Sequence, residues 1–224
     1  MLSFLINNIS HMIPILACLV LAAAIIFDRA RMLYIVYPMR AAAAFFDSIR
    51  NLVMADRLAE AIALCDRYKQ KPVAFVVKHG LMRAHQPQEI IENGLEVAVG
   101  EAVDRVRART GYLSMIANVA TLLGLIGTIL GLIKSFEAVG AASAQERSGM
   151  LAQGISMAMN HTLWGLSVAV PCMVIFSFFM NRTNRLKGEL DRAAVRTMDI
   201  LQQRYVHSVE SPRGGDRTQV RRAL

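Results

Sequence analysis

The chain has 224 residues, of which 54% are hydrophobic and 19% charged, with a net charge of +8 and a mean hydropathy of +0.38. That is too apolar for an ordinary water-soluble domain, and the charges avoid whole segments, as a bilayer enforces, because a charge in hydrocarbon costs at least ~2.5 kcal/mol. A soluble enzyme is thereby excluded. No catalytic constellation and no His/Cys metal spacing is visible, the three cysteines form no CxxC pair, and no cofactor is expected.

In chain order, the first apolar run is Ile13–Phe27. The residues before it, MLSFLINNISHM, carry no Lys or Arg, and no small-residue cleavage site precedes Asp28, so the run reads as a retained helix. Residues 28–113 read as helical throughout, rich in Ala, Leu, Arg and Glu and without strand-like alternation. The stretch MADRLAEAIALCDRY (54–68) places Leu58, Ile62 and Cys65 on one helical face. Lys71-Pro72 breaks that helix, Val73–Arg83 forms another, and Gln86-Pro87 breaks again.

From Pro87 the helical pattern passes without a stop signal into the second apolar run, Met115–Ile133. The spacing predicts one long helix over roughly 88–135, in which Gly94, Gly100 and Gly111 lower helix propensity without breaking it. The third run, Leu163–Met180, has a more polar lead-in from Ile155. Its helical spacing continues through Leu186, Leu190, Ala194, Leu201 and Tyr205 until Ser211-Pro212. At ~1.5 Å per residue, about 20 residues cross the ~30 Å hydrocarbon layer, so each run, the first with its flanks, is a candidate span.

Lys and Arg orient these spans. Region 28–113 holds thirteen, the 134–150 loop two and the tail from 181 ten. Arg29, Arg31 and Arg40 follow the first span closely, and Arg182, Arg185 and Lys187 follow the third. The positive-inside rule then puts the N-terminus outside, 28–113 in the cytoplasm, 134–150 outside and the tail in the cytoplasm. The basic charge is read as facing anionic membrane lipids; no nucleic-acid partner is needed.

The expected fold is an all-α integral membrane protein with three transmembrane helices, the second and third extended into the cytoplasm. Its expected divisions are an N-terminal segment with the first span (1–27), a cytoplasmic helical region (28–113), the second span (114–134), an outer loop (135–154), the third span (155–180), a cytoplasmic helix (181–210) and a disordered basic tail (211–224).

The second span reads TLLGLIGTILGLIKSF at 121–136. It is not a phosphate loop, since no Gly-Lys-Ser/Thr follows the glycines. On a helix, Asn118, Thr121, Gly124, Thr128, Gly131 and Ser135 fall on one face, and Gly127 and Gly131 make a GxxxG pair. In the third span Ala158, Thr162, Gly165, Ala169 and Cys172 form a second stripe. Small residues let membrane helices approach closely, so both spans have protein-facing sides and an oligomer is expected. Taken alone, such a stripe suits either plain helix packing or a transport path. Asn160 and His161 are polar at depth, and His161 suits either an interfacial, structural role or proton handling. No Asp, Glu, Lys or Arg lies within any of the three runs. If protons cross here, the carboxylate that carries them comes from another chain.

The segment LLGLIGTILGLIKSF (122–136) resembles the second-helix signature LLGLLGTVxGxxxxF of the MotA/TolQ/ExbB proton-channel family. GISMAMNHTLWGLSVAVPCMVIF (154–176) is similar to that family's third-helix pattern, GIxxALxxTxxGLxxAIPxxxxY. PILACLVLAAAIIFDR (14–29) and LAEAIALCDRYKQKPVAFVVKHGL (58–81) resemble its first-helix and cytoplasmic segments, so the likeness covers nearly the whole chain. The resemblance implies a multi-pass subunit of the bacterial inner membrane, with a periplasmic N-terminus and a cytoplasmic C-terminus, that assembles as a five-fold ring. The ring surrounds two copies of a single-span partner of the ExbD/TolR type, each supplying one transmembrane aspartate.

By motif position, the resemblance makes Thr128 and Thr162 the hydroxyls facing that aspartate, and Thr121, Asn160 and His161 join them as pore-facing candidates. Gly124, Gly127, Gly131 and Gly165 are the helix-packing candidates, and Pro171 matches the proline expected to kink the third helix. Three departures stand out. Met157 occupies the position of a usual glutamate, His161 replaces a usual small residue, and Ala120-Thr121 replaces an Ala-Pro. The function implied is a proton-channel and motor subunit that couples proton-motive force to import, envelope maintenance or gliding. The flagellar stator fits less well, since its ring protein usually has four spans. The rival readings are a non-conducting scaffold that assembles helices through its small-residue stripes, and a permease subunit, for which three spans are few.

Overall fold

The computed structural model describes residues 9–39, 41–141, 143 and 145–210. The expected disordered tail, 211–224, lies outside the described residues, as does the start of the N-terminal segment. Among the described residues every regular element is helical: α1 (Ile9–Arg31), a π-helical turn (Met32–Val36), α2 (Ala42–Met54), α3 (Leu58–Arg67), α4 (Pro72–Met82), α5 (Gln88–Arg107), α6 (Thr110–Ala141) and α7 (Arg147–Glu210). α1, the α5–α6 stretch and α7 each contain a segment long and apolar enough to cross a membrane.

The contacts divide the chain into two compact units. One joins the residues up to Arg31 with Arg109–Asn181, and the other joins Met32–Ala108 with the residues from Arg182. The first unit reverses the burial pattern of a water-soluble domain. Its inside is largely small: Ala22, Ala117, Ala120, Ala158 and Ala169 are buried, with Ile15 and Leu113. Many of its large aliphatic and aromatic side chains point outward, with Val20, Phe27, Leu122 and Phe178 each more than half exposed. Between helices in lipid there is no hydrophobic drive to hide a Leu, so close backbone contact through small residues holds such a unit together.

The second unit is built as a water-soluble domain is. Phe45, Ile49 and Val53 of α2 and Cys65 of α3 pack with Val76, Val77 and Leu81 of α4. Leu95 and Val99 of α5 and Leu190 and Leu201 of α7 complete the core. Pro72 starts α4 at its first turn, where its missing N–H costs nothing. The Lys71 ammonium donates to the carbonyls of Val36 and Pro38 at 2.6 and 2.8 Å, fastening the strap that leaves the π-helical turn. Arg204 of α7 donates to Asp56 Oδ1 at 2.7 Å, holding the tight turn between α2 and α3.

Two sequence expectations need correction. The helix expected across 54–68 starts at Leu58, because Met54 ends a preceding helix over 42–54 and Asp56 stands at a φ of 59°. The single helix expected over 88–135 is two helices, interrupted at Ala108 and Arg109, with Arg109 at a φ of 60°. None of the glycines breaks it. Residues 107–110 contain neither proline nor glycine, so nothing local announces the stop. The interruption falls where the chain passes from one unit to the other. A left-handed non-glycine residue costs about 1–2 kcal/mol. Its exposed ion pair with Asp28, at 3.7 Å, offsets little of that. Arg109→Gly is therefore expected to stabilise the protein, by about 1 kcal/mol, read as a higher midpoint in a thermal melt.

Burial, reinforced by the adjacent Asp66 carboxylate, pushes the Cys65 thiol up to about 12. The thiolate is the nucleophile, so Cys65 is expected to resist maleimide labelling at neutral pH until the protein unfolds. The Lys78 ammonium, donating to Asp66 at 2.7 Å, holds the Asp66 carboxyl below the usual carboxylate range. That contribution to stability is present at neutral pH and lost as the pH falls through the lowered value.

Candidate functional site: the seam between the second and third spans

α6 and α7 meet along part of each stripe read from the sequence. The closest approach is at Gly165: a methyl placed there would lie 2.7 Å from the Ala120 carbonyl oxygen and 2.9 Å from the Gly124 Cα. Gly124 in turn faces the backbone of His161, Thr162 and Gly165. One turn further along α6, Gly127 lies under the His161 side chain, with 2.6 Å from an added methyl to its Cβ. Gly131 faces Ala158, where the corresponding distance is 3.1 Å, and Ser135 faces Gly154. The order Gly124, Gly127, Gly131, Ser135 along one helix thus runs against Gly165, His161, Ala158, Gly154 along the other, as antiparallel neighbours must. All four packing candidates, Gly124, Gly127, Gly131 and Gly165, lie in this seam. Sequence reading did not single out Gly154, whose signal was its place one turn before Ala158 on the same face.

The side chains of the polar candidates divide into one inside the seam and four beside or outside it. His161 is inside, 4% exposed. Its Nδ1 lies 2.9 Å from the Met157 carbonyl. A carbonyl only accepts, so Nδ1 carries the hydrogen of this contact. Met157 therefore orients this histidine through its backbone carbonyl. Ser135 is also inside, its hydroxyl buried with no hydrogen-bond partner among the described residues.

Thr128 and Thr162 are half-buried beside the seam, and Asn160 is half-buried as well. Thr128 donates to the Leu125 carbonyl at 2.6 Å. Thr121 is exposed and donates to the Ala117 carbonyl at 3.0 Å. Such back-bonding keeps a hydroxyl hydrogen satisfied in lipid while leaving the oxygen lone pairs free to accept. Pro171 lies within α7 on an exposed face. Among the described residues no group of His, Cys, Asp or Glu could hold a metal ion.

With this geometry in hand, the comparisons with known proteins are specific. A sequence model described as the MotA/TolQ/ExbB proton channel family matches residues 68–192. The chain is similar to the biopolymer transport protein ExbB of Salmonella typhimurium, with 34% identity over 46% of this chain and 42% of that protein. It is similar to the biopolymer transport protein exbB1 of Vibrio cholerae, with 30% identity over 51% of this chain and 52% of the other. The Tol-Pal system protein TolQ of Pseudomonas aeruginosa is 28% identical over 54% of this chain and 51% of its own length. The chain spans about half the length of these curated relatives.

Proposed function

The chain belongs to the MotA/TolQ/ExbB proton channel family, and from that premise we propose that it is the ring-forming, proton-conducting subunit of an inner-membrane motor that transmits proton-motive force to the cell envelope. The family match carries this reading, because it includes the seam segments of both helices, and apart from His161 the runs 115–133 and 155–180 contain no ionisable side chain but Cys172. Such a ring needs a carboxylate from outside, and a single-span partner of the ExbD/TolR kind, two copies to a ring of five, supplies it.

The chemistry follows from charge in a low dielectric. An aspartate inside the ring resists ionisation. When it is protonated, the Thr128 oxygen, already donating to Leu125, accepts its hydrogen. When it is ionised, the same hydroxyl turns from the carbonyl and donates to the carboxylate, and Thr162 does likewise. The two protonation states thereby favour different registers of partner against ring, and alternation between them is rotation. The electrical part of the drive is about 2.3 kcal/mol per charge per 100 mV. His161, buried next to this path, is the residue of this chain that stands in for the absent glutamate.

Liposomes holding this chain and its partner should acidify under an imposed gradient, and replacing the partner's aspartate with asparagine should abolish that flux. Equal flux with the asparagine variant would remove the channel reading and leave the scaffold.

A further inference from the structure

Two adjoining grooves run between α5 and the distal part of α7, both within the second unit. They have volumes of about 480 and 460 Å³ and share Gln88, Met198 and Gln202. The joint floor is apolar, formed by Ile91, Leu95 and Val99 on one wall and by Val195, Met198 and Leu201 on the other. Along α5 it extends from Gln88 to Val99, roughly 17 Å at the helical rise, room for about three turns of a helix.

The rim carries Glu92, Glu96, Asp191 and Asp199, all exposed. None of the four forms an ion pair among the described residues, although five other carboxylates do. In a chain with 25 Lys and Arg residues, neither groove has a basic residue in its lining. The four acids are spread along the groove and do not cluster as metal ligands would.

We propose that this groove docks the Lys/Arg-rich cytoplasmic stub of the single-span partner, laid against the apolar floor with its cations toward the four rim carboxylates. The inference rests on the reading of this chain as the ring subunit that holds such a partner. A single-span protein that works outside the membrane leaves its other end in the cytoplasm. The positive-inside rule makes the part of that end nearest the span basic. The acidic rim selects such a segment over an acidic or neutral one, and the floor selects one with an apolar face. Docking there would tether the partner on the cytoplasmic side while its span stays free within the ring.

The test is carried out on the full chain co-expressed with a single-span, aspartate-bearing candidate partner. A photo-reactive phenylalanine analogue takes the place of Val195, which is 61% exposed in the groove wall. Illumination is expected to crosslink the analogue to the partner's segment before its span, located by mass spectrometry. Glu92→Lys with Glu96→Lys should cut that crosslink about tenfold, as should Asp191→Lys with Asp199→Lys, whereas Asp104→Lys, outside the groove, should not. Crosslinking to a second copy of this chain would overturn the proposal and make the groove a ring contact. A partner that co-purifies without crosslinking, or that crosslinks equally in the charge variants, overturns the docking and leaves the ring reading intact. Failure of the partner to co-purify at all overturns the ring reading and the docking with it.

Discussion

Gly165→Ala lowers the thermal midpoint of the detergent-purified protein, and Gly165→Leu prevents it from accumulating as a folded species. The reason lies in what the new carbon meets. At Gly165 it lands on the Ala120 carbonyl oxygen and the Gly124 Cα, both backbone atoms that move only if one helix moves away from the other. Overpacking of this kind costs about 1–3 kcal/mol for one methyl, out of a total stability of about 5–15 kcal/mol, and more for a branched side chain. The sign reverses where the space is open. Gly100 is exposed in the middle of α5 with nothing within 4 Å of an added methyl. Gly100→Ala is expected to raise the midpoint, by about 0.5–1 kcal/mol in stability, because alanine loses less backbone freedom in a helix. Melting curves of the two alanine variants side by side check this pair, and equal shifts for both would contradict the seam.

Thr128→Ala and Thr162→Ala act on the other half of the account. Both are expected to assemble normally and to lose most proton-driven output. The lost hydrogen bond to a charged or protonated carboxyl is worth about 1.5–3 kcal/mol, or roughly tenfold or more in rate. The threonines stand beside the seam, so removing a hydroxyl and a methyl leaves the glycine contacts in place. Thr128→Val keeps the shape and lacks only the hydroxyl, so it should lose as much output as the alanine variant. Full output in Thr128→Val would show that this hydroxyl has no part in the path. His161→Ala is expected to lower output as well, but with some loss of stability, because the ring fills the space under Gly127.

Much of this was legible in the sequence, and the residues say why. Apolar runs of the right length announce membrane helices because the bilayer forbids charge. Pro72 and Pro87 mark helix starts through their fixed φ. The stripes in α6 and α7 were visible as periodicity. Periodicity groups residues over a broad arc, however, so Gly124 and Gly131, which enter the seam, were read together with Thr121, which is exposed. The antiparallel matching of Gly124 with Gly165 and of Gly127 with His161 required coordinates, because no spacing within one helix encodes its register against another. The sequence marks neither a separate helix over 42–54 nor the interruption at Ala108–Arg109. The latter depends on an arginine at positive φ, which no proline or glycine at 107–110 announces. The acidic groove was missed for a similar reason, since its carboxylates come from segments about a hundred residues apart.

The central claim is a ring that encloses a partner's aspartate, and mass tests it most directly. The full chain would be weighed in detergent alone and after co-expression with any single-span, aspartate-bearing protein encoded as its neighbour. The account predicts five times the 24.7 kDa chain mass for the chain alone and the addition of two partner copies on co-expression. A monomer, a dimer, or a ring that leaves the neighbour unbound would contradict it and favour a non-conducting scaffold.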